Sequence, residues 1–274
     1  CLVGSEMCIR DSNSPAIDTI LIFAMATAGV HFGLIYATVT GKRSNIFRSE
    51  VTRWYFGMLL AGGVLIAVSL FAADIYPTLT ASFRYAMFQF VSVVTTTGFA
   101  TADSNTWTSF AVILLIFGSI VCACAGSTAG GIKFSRMGII FKSIVSNVKE
   151  TLAPDSARVV VSYNHVGRRT LTPEIVKEAM TVFILYVITY VIGALVGIAH
   201  GFEAIPAIFE SVAMTSNGGI ITSVAGPGMA GTLELFYIFQ MWAGRLEFMT
   251  LFALIVEVAV SYTHLRAHET LANL

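Results

Sequence analysis

The feature that most constrains this chain is a succession of apolar runs of two distinct lengths. A hydrocarbon core about 30 Å thick takes roughly 20 apolar residues of helix to cross. Residues 17–39, 55–75, 107–125, 179–199 and 233–258 meet that length. Residues 81–94 and 204–214 are equally apolar but too short to span, the length of a half-helix that enters a membrane and turns back. Composition agrees: 12% of residues are charged, against about a quarter in a soluble domain. With formal net charge zero, the chain offers nucleic acid no electrostatic footing.

Basic residues set an orientation. Lys42, Arg43, Arg48 and Arg53 lie in the first connection, and Lys133, Arg136, Lys142, Lys149, Arg158, Arg168, Arg169 and Lys177 lie between the third and fourth spans. The connections at 74–82, 100–106 and 200–203 carry no Lys or Arg. The asymmetry places the basic connections in the cytoplasm and the chain in the cell membrane as a multi-pass protein.

The order of runs repeats. A span (55–75), a short helix (81–94), a turn at Gly98 and a span from Trp107 are followed by a span (179–199), a short helix (204–214), a turn at Gly218-Gly219 and a span from Leu233. Gly98 and Gly219 are 121 residues apart (219 − 98), which reads as a duplicated membrane unit. Residues 17–39 then close a preceding unit.

A half-helix that stops inside a membrane leaves backbone groups at depth, tolerated only where they are buried in protein or line an aqueous cavity. Thr95-Thr96-Thr97-Gly98-Phe99 suits a line of pore-facing carbonyls, which replace the hydration shell of potassium. The preceding helix aims its partially negative carboxyl end at the site, favouring a cation. A polar turn capping a helix at the membrane surface is the plainer reading. A second copy, Thr215-Ser216-Asn217-Gly218-Gly219, favours the pore. Cys122 and Cys124 form a C-x-C pair inside an apolar run, the setting of buried thiols rather than of a metal site.

VVTTTGFAT, AGSTAGGIKFSR, FESVAMTSNGGI and MWAGRLEFMTLFAL, in that order, resemble the Trk/Ktr/HKT superfamily of cation transporters, over residues 13–260. The resemblance implies an all-α membrane protein of repeated helix–pore helix–filter loop–helix units around a central pore. It implies a fragment: 13–54 holds the last helix of the second repeat and a cytoplasmic connection, 55–150 the third repeat, 151–178 a cytoplasmic loop and 179–260 the fourth repeat. Residues 1–12 and 261–274 resemble translated sequencing-adapter read-through, so His264 and His268 are not read as a metal pair. Gly98 and Gly219 become filter glycines, with potassium held at Thr96, Thr97, Asn217 and Gly218. Potassium in the pore is the only cofactor implied. The implied partners are the bilayer, a second copy in a homodimer, and a cytosolic nucleotide-binding regulatory ring.

Two further features fit gating. Gly126-Ser127-Thr128-Ala129-Gly130-Gly131, followed by Lys133, interrupts an apolar helix with residues that weaken it by about 1 kcal/mol per glycine. The resemblance makes this an intramembrane gating loop; a close glycine-lined helix crossing is the alternative. Arg245 lies inside the last span, where a charge costs at least about 2.5–3.5 kcal/mol and faces a bundle interior or cavity. By resemblance it is a cationic barrier under the filter; a structural ion pair with Glu210 or Glu247 is the alternative. The function implied is potassium uptake, not enzymatic. A sodium- or proton-coupled secondary transporter is the other transport reading, with His31 as its one candidate ionisable group besides Arg245.

Overall fold

The computed structural model describes residues 13–40, 49–152, 162–164, 168–220, 224–226, 228–258 and 260. Both termini set apart above, together with Lys42, Arg43, Arg48 and Arg158, lie outside the described residues. The chain order is α1 (Pro15–Ala28), α2 (Phe32–Val39), α3 (Glu50–Ala72), α4 (Leu79–Val94), α5 (Ser109–Ile120), β1 (Val121–Cys122), β2 (Ile132–Lys133), α6 (Phe134–Leu152), β3 (Ser162–Asn164), β4 (Arg168–Thr170), α7 (Pro173–Ala199), α8 (Ala204–Ser216), α9 (Gly231–Arg245) and α10 (Met249–Val258). β1 and β2 pair in parallel, and β3 and β4 pair antiparallel in the connection between α6 and α7.

Local chemistry starts these helices where they start. Ser49 caps α3 by accepting from the Thr52 amide at 3.4 Å, with Glu50 in the first turn. Thr78 caps α4 and Thr108 caps α5, each accepting from an amide three residues on. Pro173 opens α7, where its missing N–H costs nothing. α3 and α7 are long and apolar enough to cross a membrane, with mean hydropathies of 2.1 and 2.5. α7 leaves Ile184, Ile188, Val191 and Leu195 exposed along one stripe, a face that suits lipid rather than water.

Two three-helix units result, α3–α4–α5 and α7–α8–α9, each with its middle helix packed against the other two. In the first, the Phe90 ring of α4 sits between Gly62 of α3 and Gly118 of α5, and a Cβ on either glycine would overlap it. In the second, Gly193 of α7 faces Ser211 of α8 and Gln240 of α9, again with no space for a Cβ.

Three expected spans are broken. The run 17–39 bends by 100° between α1 and α2. The bend is held by distant backbone: Cys124 donates to the Gly29 carbonyl at 3.1 Å, and Phe32 donates to the Gly126 carbonyl at 3.1 Å. His31 caps α2, its Nδ1 accepting from the Gly33 amide at 2.9 Å. The run 107–125 is helical only to Ile120, where the chain extends into β1. The run 233–258 stops at Arg245, because Glu247 and Phe248 turn left-handed with φ of 54° and 56°.

The packing around Phe90 gives opposite signs for two glycine substitutions in one helix. Gly57→Ala adds a Cβ that meets nothing within 4 Å and should stabilise by up to about 1 kcal/mol through helix propensity. Gly62→Ala should instead destabilise by roughly 1–3 kcal/mol through overpacking against Phe90. Thermal unfolding in detergent reads both, and equal shifts would contradict the packing described.

Candidate functional site

The carboxyl ends of α4 and α8 are built alike, bond for bond, at the 121-residue spacing. Thr97 donates to the Ser92 carbonyl at 3.0 Å, and Gly218 to the Ala213 carbonyl at 2.8 Å. Thr96 donates to the Val93 carbonyl, and Asn217 to the Met214 carbonyl, both at 3.1 Å. Side chains follow: the Thr95 hydroxyl donates to the Val91 carbonyl at 2.8 Å, and the Ser216 hydroxyl to the Val212 carbonyl at 2.7 Å. Each end is a Schellman turn, which uses a left-handed residue to satisfy the last helical carbonyls. Thr96 and Asn217 occupy that place with φ of 52° and 57°. Asn tolerates it; a β-branched Thr does so only under strain of about 1–3 kcal/mol.

Two residues on, Gly98 and Gly219 are left-handed as well, with φ of 84° and 73°. They lie against each other. A Cβ on Gly98 would come within 3.0 Å of the Gly219 Cα, and one on Gly219 within 2.8 Å of the Gly98 Cα. Glycine is therefore required at both positions twice over, by dihedral and by space. The two predicted filter turns, Thr95–Phe99 and Thr215–Gly219, meet where two half-helices end.

The glycine-rich segment lies directly against these turns. The Ala123 amide donates to the Val94 carbonyl at 3.0 Å, and the Gly130 amide to the Thr96 hydroxyl at 3.0 Å. Gly130 and Gly131 pack on Ser216 so closely that a Cβ on Gly130 would overlap the Ser216 carbonyl. The Ser127 hydroxyl donates to the Cys124 carbonyl at 2.7 Å, and Lys133, almost fully buried, donates to the Ala129 carbonyl. The expected gating residues Gly126 to Gly131 and Lys133 thus form one body with the third turn. The loop and the Ala123–Cys124 stretch before it hydrogen-bond to Gly29, Phe32, Val94 and Thr96, and Gly130 and Gly131 add close packing on Ser216.

Arg245 reaches this loop. Its guanidinium donates to the Thr128 carbonyl at 3.0 Å. Glu247 pairs instead with Arg136 of α6, at 2.7 Å. One turn after α9 therefore holds the loop at Thr128 and the helix leaving the loop at Arg136. Arg245 is exposed, while His31 is engaged as a helix cap. Among the described residues no cluster of three or more His, Cys, Asp and Glu could hold a metal, and Cys122 and Cys124 are buried free thiols.

Two contributors were missed from the sequence. Gln240, fully buried in α9, contacts Thr215 and Ser211. Ser119 of α5 shares a hydrogen bond with Ser216 across the two units at 3.0 Å. Both stand 21 residues after their filter glycine (119 − 98 and 240 − 219). A polar residue at one register of two apolar spans was the available signal.

Half-helices ending in matched glycine turns, packed among apolar helices long enough to cross a membrane, define a multi-pass membrane protein built of repeated units. The chain belongs to the TrkH family of cation transport proteins, whose profile matches residues 11–261. It is 30% identical over 236 residues to an uncharacterized cation transporter of Methanocaldococcus jannaschii, covering 86% of this chain and 47% of that protein. It is 28% identical over 246 residues to the Trk system potassium uptake protein TrkH of Salmonella typhimurium, covering 88% of this chain and 50% of that one. The crystal structure of the potassium transporter TrkH from Vibrio parahaemolyticus superposes with a TM-score of 0.78 at 26% identity, over 88% of this chain and 52% of the other. The chain spans about half the length of the curated relatives it matches. The family is one of transporters, not enzymes.

The tie between loop and turn gives a local test. Thr96→Val removes the acceptor of the Gly130 amide and should speed hydrogen exchange there about five- to tenfold, the scale of one hydrogen bond. Thr96→Ser should keep exchange slow. Equal exchange in all three proteins would mean the bond does not hold the loop.

Proposed function

We infer that this chain forms half of a potassium-conducting pore, with Thr95–Phe99 and Thr215–Gly219 as two of its filter loops. The observation that carries this is the meeting of two identically built turns at Gly98 and Gly219, at the ends of two half-helices. Helix carboxyl ends favour a cation, and turn carbonyls substitute for its water. Relatives named as Trk system potassium uptake proteins support potassium as that cation, held at Thr96, Thr97, Asn217 and Gly218.

In this reading 13–54 ends a second repeat, 55–150 and 179–260 are the third and fourth, and 151–178 is a cytoplasmic connection. The assembly is a homodimer in the cytoplasmic membrane, with a nucleotide-binding ring on the side of Lys142 and Lys149. Gating falls to Gly126–Gly131 with Lys133 and Arg245. The loop's polar bonds, unlike side-chain interdigitation, can be exchanged for water when it moves. Arg245 then bars the path with its charge while it is held at Thr128.

Rubidium and sodium uptake by the full-length transporter, in cells lacking potassium uptake of their own, tests the proposal. Saturable rubidium uptake little affected by sodium is expected, and sodium uptake without rubidium would refute potassium selectivity. Gly98→Ser should lower the rubidium-to-sodium ratio at least about tenfold, since the added side chain strikes the Gly219 backbone. Arg245→Ala should raise flux several-fold by removing a charge from the ion path. Unchanged flux with reduced expression would instead assign Arg245 a purely structural part.

A further inference from the structure

We propose that Gln240 is a positioning residue for ion selection: it fixes the start of the fourth-repeat turn through Thr215, and so sets where that turn's carbonyls stand. The proposal rests on the filter reading above.

Gln240 sits on α9 with no exposed surface. Its amide nitrogen lies 3.0 Å from the Thr189 carbonyl of α7 and 3.1 Å from both the Ser211 and the Thr215 hydroxyl oxygens of α8. The direction of these bonds is settled by the network. The Ser211 hydroxyl already donates to the Tyr190 carbonyl at 2.9 Å, and the Thr215 hydroxyl to the Ser211 carbonyl at 2.8 Å. Both hydroxyl hydrogens are committed, so each oxygen offers only lone pairs, and the Thr189 carbonyl accepts only. Three acceptors converge on one point inside the bundle, and the two hydrogens of the Gln240 amino group are the donors shared among them.

The clamp has no slack. A Cβ on Gly193 would overlap both the Gln240 amide and the Ser211 hydroxyl, so the amide is pressed between α7 and α8. Thr215 is the last residue but one of α8, and its carbonyl lies against Gly244 with no space for a Cβ between them. Its neighbour Ser216 is gripped from the other unit by Ser119, which holds the same register in α5 that Gln240 holds in α9. The last turn of α8 is thus fixed from two sides by polar side chains of the two inner helices. The corresponding turn of α4 is fixed differently, by the Phe90 wedge and the Ala123–Val94 backbone bond.

Discrimination between cations of equal charge depends on ligands held to within about 0.5 Å by the residues behind them. Gln240 is such a residue for the fourth turn, and removing its donor leaves the acceptor lone pairs of the Ser211 and Thr215 hydroxyls unmet in a buried site.

The test compares rubidium and sodium uptake by the full-length transporter carrying Gln240→Met, Thr215→Val or both, with Gly98→Ser assayed alongside. Met keeps the volume of Gln without its donor; Val keeps the shape of Thr without its acceptor. Each single variant is expected to lower the rubidium-to-sodium ratio about fivefold, the scale of one lost hydrogen bond, with the double variant no lower than the singles. A wild-type ratio in Gln240→Met, or equal loss of both ions, overturns the proposal while leaving the filter reading intact if Gly98→Ser still shifts the ratio. If Gly98→Ser shifts nothing, the filter reading falls and this inference falls with it. Should Gln240→Met fail to reach the membrane, Thr215→Val decides by the same criterion.

Discussion

Every break in a membrane helix frees backbone amides and carbonyls, and in this protein each break is closed by a partner from elsewhere in the chain. The bend between α1 and α2 is closed by Cys124 and Gly126. The end of α4 is closed by its own Schellman turn and by Ala123. The loop beyond Gly126 is closed by Thr96, Arg245 and Lys133. Unpaired groups of this kind cost several kcal/mol each in hydrocarbon. The breaks therefore do not stand independently: α1–α2, the third turn and the loop form one hydrogen-bonded unit.

The two units show how a duplication keeps its frame and changes its contents. At 121 residues' spacing, Val94 corresponds to Thr215, Ala123 to Gly244, Cys124 to Arg245 and Gly126 to Glu247. Both inner helices turn left-handed at the last of these positions, Gly126 with φ of 71° and Glu247 with φ of 54°. After that point they diverge. The first unit runs into a polar loop before α6 resumes; the second turns directly into α10.

This frame was legible in the sequence because its determinants are local. Half-helix length, the 121-residue period and a glycine two residues past each left-handed turn can all be read from neighbouring letters. The breaks in the first and last spans were not legible. Gly29 and Phe32 bend the first run because Cys124 and Gly126, far along the chain, need carbonyl and amide partners there. Glu247 adopts a glycine-like conformation with no glycine to announce it, and its pairing with Arg136 depends on how α6 returns. Gln240 is a single polar letter in an apolar run. Only the convergence of Thr189, Ser211 and Thr215 gives it meaning.

The correspondence of Cys124 with Arg245 bears on how the two units are joined. In the first unit that position gives its backbone amide to Gly29 and keeps a buried thiol. In the second it carries a guanidinium that reaches back to Thr128, inside the loop that the first unit alone possesses. The guanidinium stands on a helix end anchored by Tyr186, whose hydroxyl donates to the Gly244 carbonyl at 2.7 Å. The Arg136–Glu247 pair ties that helix end to α6, the helix that leaves the glycine-rich loop, so the end of α9 and the loop are joined at Thr128 by a hydrogen bond and at Arg136 by an ion pair.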